Sequence, residues 1–513
     1  MGRAFGPEES QQDRGGGGMN DEIRMSNDEL PEGWATVPVQ ELGHVQLGKM
    51  LDRAKNSGTP TAYLRNINVR WFEFDLSDLK TVLVSDDERE RFSVLDGDLF
   101  ICEGGEPGRS AVWKSGKSDI VYQKALHRFR TNGAILPDLL MYRFRLEAEA
   151  GSLHESFSGS TIKHFTRESL VKYKVPLPPL PEQKRIADKL EAVLGRVDAC
   201  RARLDRVPAL LKRFRQSVLA AATSGKLTEE WRDANECGED AASLLERMAI
   251  ERRAVHAKQG KNRKFREAEP VASEELPEIP KTWQWTNFDH CSSEISVGHV
   301  GPMKDRYVDK GVAFLRCQNV RPLRFNPHGL VCIPKGFHKE LSKSELCGGE
   351  ILVVRSGANT GDCCVFPCGF GEANCSDLVI TRPLSGLSSE YGAIYVNSPT
   401  GQSLLDQKQA GVAQPHFNIG AMRVKAFPLA PFAEQQEIVR RVEDLFAFAD
   451  RIEARLAVAR KTVERLTPSV LAKAFRGELV SQDPNDEPAS TLLERLNKQP
   501  VAKPARKTRA KRQ

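Results

Sequence analysis

Two apolar runs of equal length and spacing, 252 residues apart, constrain this chain more than any other feature. The first places Ile186, Leu190, Val193, Val197, Cys200, Leu204, Val207, Leu211, Phe214 and Val218 at alternating four- and three-residue steps. Adding 252 to each number gives Ile438, Val442, Leu445, Ala449, Ile452, Leu456, Ala459, Val463, Leu466 and Val470, with no slip of register. A heptad pattern of this kind is the seam of a coiled coil, because its stripe is too narrow to seat a helix in a globular core. Each run predicts a rod of about 50 Å that needs a second helix along its length. The two runs are each other's available partner.

The offset extends beyond the rods. Glu182-Gln183 recurs as Glu434-Gln435, Ser217 to Ala220 as Ser469 to Ala472, and Gly225 with Leu227 as Gly477 with Leu479. Upstream, His164-Phe165 recurs as His416-Phe417, and Leu64-Arg65 as Leu315-Arg316 with a slightly different offset. The chain reads as an internal duplication of a globular region plus a helix. A length of 513 residues exceeds one ordinary core and agrees with two globular regions.

In order, the sequence predicts a disordered N-terminal tail over 1–29, with Met19 or Met25 as alternative starts, and a first globular region over 30–180. A helix follows over 181–226, then a linker with a short helix over 227–275. The second globular region covers 276–432, its helix 433–480, and a basic C-terminal tail 481–513. Leu30-Pro31-Glu32-Gly33-Trp34 opens the first region, and Leu276-Pro277-Glu278 with Trp283 opens the second. β-type runs are expected at Tyr63 to Val69, Leu99 to Cys102, Phe314 to Val320 and Ile351 to Arg355. Helices are expected at Asp138 to Glu149, behind Pro137, and at Ser388 to Ser398. Each region is therefore α+β, and a proline-spaced exit, Val175 to Pro181 and Phe427 to Pro431, stiffens its junction with the rod. Pro208 and Pro468 are expected to interrupt and kink the rods, and Gly225 and Gly477 to cap them.

Composition narrows the environment. No run of 18 apolar residues exists and the N-terminus lacks the apolar block of a signal peptide, so a cytoplasmic protein with no membrane partner is expected. The eleven cysteines are scattered, which fits reduced thiols, and Cys200 falls at a seam position where it acts as a small hydrophobe. The net charge of +6 equals the charge of the last thirteen residues, VAKPARKTRAKRQ. That tail reads as a solvated arm, with a DNA contact as the alternative, and the basic run Lys258 to Arg266 reads as a mobile linker rather than a DNA clamp.

Catalytic motifs fail on inspection. Ala111 to Ser118 ends like a phosphate-binding loop but has Ala where the first Gly must turn. Asn326-Pro327-His328-Gly329 lacks the aromatic that holds a flipped base, and no Gly-rich cofactor loop precedes it. Cys363, Cys364, Cys368 and Cys375 match no zinc-knuckle spacing and have no equivalent in the first repeat, so no metal is expected. Two loops carry more weight. Glu103 to Arg109, with Gly105, Gly108 and Arg109, and Arg355 to Gly361, with Arg355, Ser356 and Asn359, each follow a β-run and set Gly beside Arg. Such loops allow close backbone approach with a guanidinium for phosphate or guanine, although a plain glycine turn would look the same. Lys163, His164 and His416 are structural or DNA-facing residues rather than catalytic ones.

Taken together, the Leu-Pro-x-x-Trp type of opening, the Ser356 to Gly361 loop and the Pro-Leu-Pro-Pro-Leu-Pro-Glu-Gln-Lys-Arg-Ile exit at 176–186 resemble the DNA-specificity subunits of type I restriction-modification systems. The resemblance runs from Leu30 to about Val480. It departs at the first loop, which has Gly-Gly-Glu-Pro-Gly, and at the second exit, which has Ala430 and Phe432-Ala433. It implies two tandem target-recognition domains joined by two long coiled-coil helices in an internal pseudo-two-fold duplication. Each domain would read one half of a bipartite site in double-stranded DNA. It also implies two methyltransferase (modification) subunits and restriction (motor-nuclease) subunits as partners. S-adenosylmethionine, ATP and Mg would be bound by those subunits and no cofactor by this chain, which would not be an enzyme on its own. The rival readings are a non-catalytic coiled-coil scaffold with two protein-binding heads, and a modification enzyme whose active site is unrecognised.

Overall fold

The computed structural model describes residues 30–52, 56–116, 118–159, 163–235, 238–258, 265–271, 276–303, 305–406 and 417–498. The expected N-terminal tail 1–29, His416, and the end of the basic tail, 499–513, lie outside the described residues. The chain divides into two compact units, Met1–Leu204 with Val458–Gln513, and Asp205–Ala457. The division falls within both long helices. Each unit thus holds one head, the first part of the long helix that follows that head and the last part of the other long helix.

The long helices span Leu180–Thr223 and Phe432–Phe475, 44 residues each and displaced by the same 252. Both run on through Pro208 and Pro468, so the expected interruption does not occur. A proline costs one backbone hydrogen bond, which tertiary packing along so long a helix can outweigh. Gly225 and Gly477 follow the helix ends with φ of +78° and +73°, as helix-terminating residues should.

In the first unit the strand Ala35–Pro38 pairs antiparallel with Lys174–Leu177, tying the start of the head to its exit. A four-stranded antiparallel sheet orders Gly43–Leu47, Leu126–Thr131, Leu99–Cys102 and Ser110–Val112. A three-stranded sheet of Lys80–Val84, Thr59–Leu64 and Val121–Tyr122 lies beside it. The helix Pro137–Ala150, with Pro at its first position and left-handed Gly151 at its end, contributes Leu139, Leu140 and Phe144 to a core shared with Ile186, Leu190, Leu194, Leu471 and Phe475. The second unit repeats this plan. Gln284–Asn287 pairs with Ala426–Leu429, a four-stranded sheet is built on Ser292–Val297, Leu378–Pro383, Ile351–Val354 and Cys363–Val365, and Ser389–Asn397 is the matching helix, capped by Ser388. Its core takes in Val218, Leu219, Ala222, Ile438 and Val442. Arg215 reaches Asp450 and Glu453 at 2.6 and 2.8 Å while Arg441 donates to Leu227 O, so the helix segments of this unit run antiparallel.

The seam differs in detail from the heptad reading. Ile186, Leu190, Val197, Leu211, Ile438, Val442 and Leu456 are buried, and Val193, Leu204, Leu445, Ile452 and Val463 are half-buried. Cys200, however, is exposed and Leu466 is 39% exposed, while Leu194, Leu219 and Ala222 are buried outside the heptad positions. A helix of 3.6 residues per turn drifts about 20° per heptad from a strict seven-residue repeat. Near each head the helix also has a second neighbour to cover, and its apolar stripe widens accordingly.

Two other expectations are corrected. The β-runs at Tyr63 to Val69 and Phe314 to Val320 stop at Leu64 and Leu315, and tight turns Asn66–Asn68 and Cys317–Asn319 replace the rest. In both, an Asn side chain accepts from the backbone three residues earlier, Asn68 from Arg65 N at 3.0 Å and Asn319 from Arg316 N at 2.9 Å, in competition with the strand ladder. The C-terminal tail contains a helix of its own, and the helix expected in the linker runs on to Lys258. Ala241–Lys258 buries Ala241, Leu244 and Met248 in the second core, and Ala489–Lys498 buries Ala489 and packs Leu493 and Leu496 against the first. Near the end of the basic run, Phe265 meets His256 edge-to-face and lies under Arg252, so that end folds back on the helix; residues 259–264 lie outside the described set.

The repeated Glu-Gln pair explains why each head is fixed to its helix. Gln183 donates to Ala134 O and Pro178 O and accepts from Leu136 N; Gln435 donates to Gly386 O and Ala430 O and accepts from Ser388 N. Each side chain is fully buried and meets backbone groups on both sides of the junction. Trp34 donates to Glu182 at 2.9 Å and Trp283 to Glu434 at 2.8 Å. These bonds connect the opening residues of each head to the same turn of helix.

Candidate DNA-recognition surface

In the first unit the loop Glu103 to Arg109 closes the hairpin between Leu99–Cys102 and Ser110–Val112. Gly105 and Gly108 have φ of +81° and +89°, and a Cβ on Gly108 would meet Leu153 Cδ2 at 2.4 Å, so both positions need glycine. Phe165 N donates to Glu103 O at 2.8 Å, which brings exposed Lys163 and His164 alongside the loop. Burial pushes His127 down to about 4, and its neutral ring bonds Phe165 O at 2.8 Å, fixing the same segment to the sheet. The equivalent bond in the second unit is Phe417 N to Arg355 O at 2.9 Å. The structure therefore brings together, in each unit, the glycine loop and the His-Phe segment that the sequence marks separately. His416 itself is outside the described residues.

The two arginines of these loops are not equivalent. Cys102 N bonds Arg109 O, whereas Val354 N bonds Asp362 O, so the second loop is one residue longer and Arg109 matches Asp362. Arg109 donates to Glu106 at 2.7 Å and to Asn66 O at 2.9 Å, and Trp71 holds the other oxygen of Glu106 at 2.7 Å. Its guanidinium is a brace between the loop and the turn Asn66–Asn68, rather than a free reader of bases. Arg355 sits at the start of its loop, half-buried, with only a 3.7 Å approach to Asp377. Beyond it Gly357, Ala358 and Asn359 are exposed and Ser356 is half-buried, while Thr360 donates to Gly357 O at 2.7 Å and sets the turn. Sequence inspection missed Asn66, Trp71 and Glu106.

A direct consequence can be checked in the free protein. Arg109→Ala leaves Glu106 and Asn66 O without their donor and should cost the first unit about 1–3 kcal/mol. Arg355→Ala should change stability by less than about 1 kcal/mol, because its half-buried guanidinium makes a loose 3.7 Å approach to Asp377. Equal losses in denaturant unfolding would contradict this distinction.

The other candidates fall outside these surfaces. Trp113, within the segment resembling a phosphate loop, is buried and donates to Gly116 O; Lys117 is outside the described residues. Cys363 and Cys364 alternate along one strand into two different cores, Cys375 is buried and Cys368 exposed, so the four do not converge. Among the described residues no helix is long and apolar enough to cross a membrane.

Two α+β heads, each set on a long helix and each presenting a glycine loop beside a His-Phe segment, define a duplicated recognition protein. The family described as the type I restriction modification DNA specificity domain matches residues 31–208. The specificity subunit of the type I restriction enzyme EcoBI of Escherichia coli is 31% identical over 379 residues, covering 70% of this chain and 72% of that protein. The EcoKI specificity subunit of Escherichia coli (strain K12) is 28% identical over 524 residues, covering 95% of this chain and all of the relative. A solved structure described by the assembly and conformational transition of a type I R-M system has the same fold, with a TM-score of 0.57 at 18% identity over 88% of this chain and 99% of that one. The chain belongs to the family of type I restriction-modification specificity subunits, whose role is DNA recognition.

Proposed function

We propose that each head reads one half of a bipartite, asymmetric site in double-stranded DNA, and that the long helices set the spacer and dock two methyltransferase subunits. Restriction (motor-nuclease) subunits join that assembly, S-adenosylmethionine, ATP and Mg are bound by the partners, and the chain itself is a non-catalytic cytoplasmic subunit. The observation that carries this reading is the combination of a repeated scaffold with divergent surfaces. The Glu-Gln clamp, the Trp-to-Glu bond and the 44-residue helix recur at matched positions, whereas the recognition loops differ in length and in the placement of their arginine. A duplicated binding protein meets two half-sites at a set separation, and unlike heads make the halves unlike.

The test is a head exchange. Replacing residues 30–175 with the head of another family member should change one half of the methylated sequence and leave the other intact, read by mapping modified adenines in cells that carry the partner subunits. A change in both halves, or in neither, rules out one head per half-site. Within the second head, Arg355→Ala should weaken specific binding by about 1–3 kcal/mol if the guanidinium meets a base edge.

A further inference from the structure

The edge strand of the first head's larger sheet gathers more positive charge than its counterpart in the second head. His44 on Gly43–Leu47 stands opposite Arg130 on Leu126–Thr131, and Gln46 opposite Arg128, so all four side chains share a face. Arg167, at the start of the helix Arg167–Lys172, donates from Nε to Val45 O at 3.1 Å, which sets it at the strand's open edge. Gln46 and Arg128 both donate to Arg91 O and so hold that residue at the same place. His44, Arg91 and Arg167 are exposed, and Arg128 is 5% exposed.

The carboxylates nearby are already engaged. Asp98 takes Arg130 through two bonds, Glu88 takes Lys49, and Glu168 takes Lys172. Among the described residues no carboxylate lies within ion-pair distance of Arg91, Arg128 or Arg167. Arg128 is confined to carbonyls, to Gln46 and to the face of Tyr122, and its buried Nε has no partner. Burial, and then Arg128, Arg167 and Arg130, lower the pKa of His44, in keeping with guanidinium groups converging on it.

The second copy supplies an internal control. Its register pairs Glu294 with Arg382 and Ser296 with Ile380, and Ser296 donates to Lys343 O as Gln46 does to Arg91 O. The helix Ile419–Val424 stands where Arg167–Lys172 stands. At matched positions, therefore, His44 becomes Glu294, Arg128 becomes Ile380, Arg167 becomes Ile419, Arg91 stays basic as Lys343, and Arg130 keeps its charge as Arg382 but pairs with Glu294 at 3.0 Å. The fold does not need His44, Arg128 or Arg167, since the second head is built with Glu294, Ile380 and Ile419 in their places.

We propose that this edge is a DNA-backbone contact stronger in the first head than in the second, in which Arg91 and Arg167 take phosphodiester oxygens and Arg128 supplies the field behind them. A guanidinium matches a phosphate with two parallel N–H donors, and uncompensated arginines at a partly desolvated edge gain most from an anion. Docking of a modification subunit is the lesser reading, because two such subunits on a duplicated chain would call for the patch on both heads. The inference rests on the DNA-recognition role and adds that the two heads hold the backbone unequally.

The experiment uses the chain assembled with its modification subunits and two duplexes, one carrying the sequence it methylates and one without it. R91A/R167I should weaken binding to both duplexes about tenfold or more at about 0.15 M salt, and reduce the slope of log affinity against log salt by roughly 2. R91K/R167K should restore most of the slope, and H44E should weaken both duplexes without altering the methylated sequence. Unchanged affinity and slope overturn the proposal, as does a changed half-site, which would make these residues base readers, or loss of modification subunits from the purified assembly. Failure of the unaltered assembly to prefer its own duplex would overturn the underlying recognition role itself. Unfolding of each variant in denaturant confirms that the first head is intact.

Discussion

Glu434→Ala should cost the second unit about 3–5 kcal/mol, the largest single-residue effect expected in this chain. The carboxylate is fully buried and accepts from Trp283 Nε1 at 2.8 Å, Thr228 Oγ1 at 2.7 Å and Arg232. Its removal leaves a guanidinium and an indole N–H facing a void that water reaches poorly. The matched Glu182 is different, with one bond from Trp34 and an Oε1 that is buried and unpartnered. Burial raises its pKa, against the pull of Trp34 and Arg185. An acid with a raised folded pKa stabilises the fold fully below its unfolded pKa, and that contribution is lost as pH rises through the folded pKa. Glutamine keeps the neutral shape at every pH. Glu182→Gln should therefore match the parent in acid and exceed it at neutral pH, while Glu434→Gln should be destabilising at neutral pH because it removes the carboxylate charge that pairs with Arg232. Each unit holds three of the six tryptophans, so local hydrogen exchange at the Trp34 and Trp283 segments is the measurement that separates the units. A loss of protection in Glu182→Gln at neutral pH would show that the ionised form is the one the fold uses.

The contrast shows what a sequence can and cannot carry. The duplication, both helix lengths and the clamp residues were legible because they depend on periodicity and on repeated identities, and Glu182-Gln183 announced its counterpart at Glu434-Gln435 directly. What each side chain meets was not legible. Glu182 and Glu434 look alike until Arg232 is found beside one of them, on a short helix whose sequence reads as linker. The helix Ala489–Lys498 lies inside the span that reads as a basic tail, because the basic residues after it dominate the composition of that end. Its amide contact, Ala489 N to Gly33 O at 2.9 Å, joins residues from opposite ends of the chain and leaves no local pattern. Arg109 and Arg355 looked like one motif written twice, yet hydrogen bonding set them at opposite ends of their loops. The charged edge left no signal at all, since His44, Arg91, Arg128 and Arg167 become neighbours only through strand register.

Inserting one heptad into both long helices, after Leu204 and after Ala457, should change the spacing of the recognised half-sites and leave both half-site sequences as they were. Seven residues lengthen a helix by about 10 Å, which corresponds to roughly three base pairs at about 3.4 Å each. A full heptad preserves the apolar stripe on either side of the insertion, and the two sites lie where the chain passes from one compact unit to the other, so neither head is cut. Insertion in one helix alone should slip Val197 and Leu204 against the residues they face and destabilise the protein, which gives the double variant its control. The rotation matters as much as the length. Three base pairs turn the groove by about 100°, at ~10.5 base pairs per turn, so the extended protein must meet its second half-site from a different side of the duplex. A modification assembly that tolerates the change should methylate a longer spacer. One that does not should lose methylation while the free chain still folds. Either result ties spacing to helix length. An extended assembly that methylates the original spacer as efficiently as before would mean that the helices hold the heads without measuring the DNA.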